Sequence, residues 1–220
     1  RRVLFRSGLV VGPSMPGAFD QTTRAKGNVA TVAIGAHSEA YGSSSVAMGG
    51  GTAYGDKAGT AGNVTDQGGA VALGWVTAKG NRAVALGGIN TTSATGDNSF
   101  ATSGGVANGD NASALNGSQA TGDNTFAAVG GTASADSAIS IGNGSLANQT
   151  NTVALGKSTN ATGASAIAIG DAVTATSTAA TSIGSNGTKA TAYGATAIGR
   201  NAKVTAEKSV ALGLDRKSVV

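Results

Sequence analysis

The chain has no cysteine, one histidine, two prolines and only 4% aromatic residues. Lacking cysteine, it can form neither disulfides nor thiolate nucleophiles nor zinc–thiolate sites. The single histidine, His37, has no partner from which to build a conventional transition-metal site or a nucleophile–base pair, and reads as a surface turn residue. No catalytic, cofactor or metal residue is expected, and the chain does not read as an enzyme. Apolar runs are too short to span a bilayer. Charged residues make up 12% of the chain, and the net charge of +4 resides in its ends. Setting aside Arg1, Arg2, Arg6, Arg216, Lys217 and Asp215 leaves equal numbers of acidic and basic residues, which argues against nucleic acid as a partner.

The two ends share nothing with what lies between them. Residues 1–7 and 214–220 resemble translated synthetic adapter sequence and are set aside from the fold. Residues 8–28 form a poorly defined lead-in, and residues 29–213 hold the organised part.

What the chain has in abundance is glycine, 36 residues, together with alanine, serine, threonine and asparagine. That composition alone would fit a flexible linker. Periodicity decides otherwise. A five-residue run of small, β-branched, Ala, aliphatic, Gly character recurs as Thr31-Val32-Ala33-Ile34-Gly35, Ser45-Val46-Ala47-Met48-Gly49, Ala166-Ile167-Ala168-Ile169-Gly170 and many further copies. From Gly142 the closing glycines stand at 156, 170, 184, 199 and 213, steps of 14, 14, 14, 15 and 14 residues. The 25-residue gap from Gly49 to Gly74 leaves room for one degenerate coil or an insertion around Gly59 to Gly69.

Within each copy the large residues sit two apart, the alternation of a strand with one buried face. A helix would need spacings of three and four, and a glycine in every repeat would cost it about 1 kcal/mol each. The other half of each repeat, such as Thr159-Asn160-Ala161-Thr162-Gly163, reads as a second, shorter strand. Gly, Asn and Asp collect between the halves, where tight turns need positive φ. The expected fold is all-β, a parallel β-solenoid of about 14 residues per coil. Val and Ile are expected to fill a thin core, and the Ala and Ser between them to form a face on which neighbouring chains approach closely.

The phased Ser-Val-Ala-Ile-Gly run, alternating with a small polar strand over nearly all of residues 29–213, resembles the head repeats of the trimeric autotransporter adhesins, the YadA-like family. That resemblance implies a left-handed parallel β-roll assembled as a homotrimer on the bacterial cell surface. It also implies a stalk and a C-terminal outer-membrane anchor that lie outside this sequence. Heads of this family attach bacteria to extracellular-matrix proteins, cells or surfaces. The collagen-binding motif Asn-Ser-Val-Ala-Ile-Gly-x-x-Ser is approached by Asn151, Thr152, Val153, Ala154, Leu155, Gly156, Lys157 and Ser158, with Thr for Ser, Leu for Ile and the last Ser one position early. The same residues also read as purely structural, with Val153 and Leu155 in the core and Asn151 in a turn.

Other readings compete. Gly156-Lys157-Ser158 lacks the earlier glycine of a phosphate-binding loop, because position 151 is Asn. Gly-Asp-Asn turns at 96, 109 and 122 have one carboxylate per coil without the nonapeptide of calcium-binding β-rolls. Hexapeptide acyltransferases have a period of six and a catalytic histidine. An ice-binding solenoid would place Thr-x-Thr at one site on successive coils, whereas the threonines here wander. A non-enzymatic spacer remains the structural alternative to a binder. Trp75 reads as the cover of a core end or as an anchor for a ligand.

Overall fold

A computed structural model describes residues 8–11, 24–25, 31–42, 44–54, 68–87 and 91–213. Both tails, most of the lead-in and most of the segment around Gly59 to Gly69 lie outside the described residues. The chain divides into two compact units, Arg1–Asn111 and Ala112–Val220.

Each unit is built the same way. A strand of three to five residues, such as Val153–Leu155, alternates with a two-residue strand, such as Asn160–Ala161. The longer strands stack in sequence order into one parallel sheet, here sheet A, and the shorter ones into a second, sheet B. The chain is therefore a parallel β-solenoid. In the second unit Ile139, Val153, Ile167 and Thr181 pair in succession at intervals of 14 residues. In the first unit Gly8–Val11 pairs with the strand Thr31–Ile34, and Arg24–Ala25 with Glu39–Ala40. Val46–Met48 pairs directly with Val71–Leu73, so no coil intervenes and the 25-residue step contains an insertion.

The interior reverses the expected core. The strand positions that face inward are Ala33, Ala47, Ala72, Ala85 and Ala101 in sheet A of the first unit, and all five have no solvent exposure. Ala40, Ala53, Ala78, Ala94 and Ala107 oppose them from sheet B and are equally buried. In the second unit Ala154 and Ala168 of sheet A are matched by Ala161 and Ala175 of sheet B. Val and Ile, expected inside, point outward: Val32, Ile34, Val153, Leu155, Ile167 and Ile169 are all half-exposed. A coil that turns back after about seven residues leaves little more than methyl groups between its two sheets. Val173 and Val204 are the largest fully buried side chains among the described residues.

Serine and threonine complete the interior by satisfying turn carbonyls, since a buried hydroxyl without a partner costs about 1–3 kcal/mol. Thr152 Oγ1 donates to the Gln149 carbonyl at 2.6 Å, and Thr159 Oγ1 to the Gly156 carbonyl at 3.0 Å. Ser99, Ser118, Thr125 and Thr188 make the same three-residue return.

The turn between sheet B and sheet A holds a residue with positive φ in coil after coil: Asn124 (56°), Ser137 (58°), Asn151 (59°), Ser165 (57°) and Ala179 (56°). Asn tolerates this conformation better than most non-glycine residues. The amides of Ser137, Asn151, Ser165 and Ala179 each bond to the coil before, as Ser137 N does to Asp123 O at 2.8 Å and Ser165 N to Thr150 O at 2.9 Å. At the opposite turn Gly156 has φ of +121°, and a Cβ there would collide with the Gly170 carbonyl of the next coil. The glycine period seen in the sequence is thus a column of close backbone approaches.

Candidate functional site

The solenoid offers two outward faces of different chemistry. On sheet A of the second unit one column of outward residues runs Leu115, Ala128, Ile141, Leu155, Ile169, Ile183, Ile198 and Leu212. Alongside it stand Phe126, Ile139, Val153 and Ile167, then Thr181, Thr196 and Val210. Val210 is 60% exposed and Leu212 58%. Eight strands at about 4.8 Å make this stripe ~34 Å long and ~10 Å wide. The first unit carries its own stripe, in which Val32, Val46, Val71 and Val84 stand beside Ile34, Met48, Leu73 and Leu86. A predominantly apolar face of several hundred Å², interrupted in one column by Ser113, Thr181 and Thr196, marks an interaction site.

Sheet B is polar outside. In the second unit its outer columns carry Gln119, Thr132, Leu146, Asn160, Thr174, Lys189 and Lys203 in one row. The row two residues further on reads Thr121, Ser134, Asn148, Thr162, Thr176, Thr191 and Thr205. One row is therefore aligned in small polar groups, which the wandering threonines of the sequence had hidden. Its neighbour is interrupted by Leu and Lys, so the paired Thr-x-Thr array of an ice-binding face is absent among the described residues.

The eight residues matched to the collagen-binding motif occupy a single coil and do not share one surface. Asn151, Lys157 and Ser158 are exposed, Val153, Leu155 and Gly156 half-exposed, and Thr152 and Ala154 buried. Asn151 and Ser158 sit at opposite turns with φ of 59° and 54°. Thr159 holds the inward hydroxyl position that the motif's last Ser would occupy, so the sequence match to Ser158 was one residue out of register. Val153 and Leu155 face outward on sheet A, half-buried, and not into the interior of the coil where the structural reading of the motif had placed them.

Turn carboxylates serve the backbone: Asp97 and Asp110 in two of the Gly-Asp-Asn turns, and Asp136 in the Ala-Asp-Ser turn that follows the third. Asp97 Oδ1 accepts from Asn81 N at 2.9 Å, Asp110 Oδ1 from Asp97 N at 2.8 Å and, in the second unit, Asp136 Oδ1 from Asp123 N at 3.0 Å. Among the described residues no group of three or more His, Cys, Asp or Glu is placed to hold a metal ion.

A third feature lies on the first unit. Trp75 covers no core end: it is 54% exposed, and its indole lies over Gly50 of the preceding coil. Gly50 has φ of +88° and any side chain there would collide with the ring. The indole reaches past it to meet His37 edge-on, with ring centroids 6.3 Å apart and planes at 74°. Spacing in the sequence could not reveal this contact, because the insertion between coils displaces Trp75 from its neighbour.

The glycine column and the alternating long and short strands, stacked in parallel, define the fold class as a parallel β-solenoid with two strands to each coil. The family model "YadA head domain repeat (2 copies)" matches residues 29–52, 78–102, 133–159 and 190–215. The coiled region is a YadA-like head, the passenger type found in trimeric autotransporter adhesins. No curated protein matches the chain.

Proposed function

We propose that the chain forms part of a homotrimeric, non-enzymatic adhesive head displayed on the bacterial outer surface, in which the aliphatic face of sheet A is the contact between protomers. The observation that carries this reading is the inversion of the solenoid. A chain that buries alanine and leaves Val, Ile and Leu outside gains little apolar burial by folding alone, and recovers it by association. The face best suited to association is therefore the Val/Ile side and not the Ala side. Sheet B then remains outward and presents repeated polar rows to host matrix proteins or cell-surface ligands. Weak contacts repeated over coils and multiplied over three chains give useful avidity. The Asn151 to Ser158 coil offers two separate candidate contacts, Asn151 at one turn and Lys157 with Ser158 at the other.

Light scattering of the purified chain tests the assembly, and attachment to immobilised matrix proteins and cells tests the adhesion. The expected result is a trimer that attaches, with attachment lost in the double variant Ile169→Glu/Ile183→Glu as the mass falls to that of a monomer. Equal attachment by trimer and monomer would sink the reading.

A further inference from the structure

We propose that the outer face of sheet B between His37 and Lys79 is a binding site for a neutral oligosaccharide. The inference rests on the adhesive reading only in taking sheet B to be the outward sheet of the assembly.

Three neighbouring strands, Glu39–Ala40, Thr52–Ala53 and Thr77–Ala78, lie in register and form the floor. Their outward residues make a polar row of Glu39, Thr52 and Thr77. On one side of this row stand Trp75 and His37 in their edge contact. On the other, Tyr41 and Tyr54 stack face to face, with centroids 4.9 Å apart and planes at 6°. Tyr41 Oη donates to Glu39 Oε2 at 2.8 Å, which holds the carboxylate to one side of the floor. A shallow depression of about 390 Å³ lies over His37, Glu39, Gly50, Thr52 and Trp75. Its size is within the range of small-ligand sites.

The arrangement is local. Three of the chain's four Tyr and Trp residues, and its only His, meet here within three consecutive coils, while the second unit presents no aromatic side chain in either outer row of sheet B. An exposed indole seated in a slot that only glycine allows is a rigid apolar surface with a polar edge. Sugars match such a surface: their C–H faces lie on aromatic rings and their hydroxyls bond to carboxylates and side-chain hydroxyls. Width sets the ligand size. From the turn residue His37 the chain runs through the strand Glu39–Ala40 to Tyr41, a span of about 13 Å. That span is too wide to enclose a compact quaternary ammonium ion in an aromatic cage, and it suits two or three linked pyranose rings. Glu39 stands in register with Arg24 of the neighbouring strand, and Lys79 follows Tyr41 and Tyr54 in their row, so the face mixes both signs of charge and favours a neutral sugar over sulfated, sialylated and uronic-acid sugars or nucleic acid.

Trp75 is the only tryptophan, so intrinsic emission reports on this site alone. The experiment takes the full chain over an array of immobilised oligosaccharides, then titrates soluble neutral di- and trisaccharides while following Trp75 emission. The expected result is retention on neutral glycans with a saturable change in emission. Trp75→Ala should lower array retention at least ~10-fold with the fold unchanged by circular dichroism, and Trp75→Phe should restore part of it. Glu39→Gln should admit acidic glycans that the native chain rejects. An array blank overturns the site even where attachment to matrix proteins is kept, and so does a saturable response to a trimethylammonium compound in place of sugar. Glycan binding that Trp75→Ala removes supports it even where no attachment to matrix proteins is found.

Discussion

Ala154 and Ala168 lie in register on adjacent strands of sheet A, both without solvent exposure, while Val153 and Ile167 beside them face outward. The usual rule for hydrophobic cores is therefore reversed along this chain. Enlarging the small residue should harm the fold more than trimming the large one. Ala168→Leu is expected to destabilise the solenoid by about 1–3 kcal/mol, the range for overpacked cores, measured by chemical denaturation. Ile167→Ala should leave the coil intact and act on association instead, read as a lower mass by light scattering.

Gly156 tests the close approach of turns. Gly156→Ala combines a φ of +121° with a methyl group directed at the Gly170 carbonyl. A loss of about 1–3 kcal/mol is expected, visible as a lower Tm. At Gly213, with φ of +96°, a Cβ would meet no atom of the described residues within 4 Å, and Gly213→Ala should show the backbone term without the collision.

Thr152 isolates the inward hydroxyls. Thr152→Val keeps the shape and removes the 2.6 Å bond to the Gln149 carbonyl. Denaturation should record a loss of about 0.5–1.5 kcal/mol. Lys157→Ala in the same coil leaves the turn's backbone bonds in place and should stay within about 0.5 kcal/mol of the parent.

Metal removal separates the turn aspartates from a calcium β-roll. Asp97, Asp110 and Asp136 already accept bonds from backbone amides. Chelation with EDTA, or added Ca²⁺, is expected to leave Tm unchanged. A calcium-dependent rise of several degrees would refute that assignment of the carboxylates.

Much of this molecule could be read without coordinates. The 14-residue step, the alternation within each run and the Asn and Gly turns imply stacked parallel strands, since each is a local property of backbone and side chain. Alternation, however, marks two faces without saying which one is enclosed. Only the closing of the coil decides that: the two sheets lie so near one another that methyl groups fill the space, and Val153 and Ile167 are turned outward. Similarly, Thr159 takes the inward place that Ser158 had been matched to, because register along the turn is fixed by which hydroxyl can reach the Gly156 carbonyl. The meeting of Trp75, Gly50 and His37 depends on which coils stack on either side of an insertion, a relation between strands that no run of neighbouring residues contains.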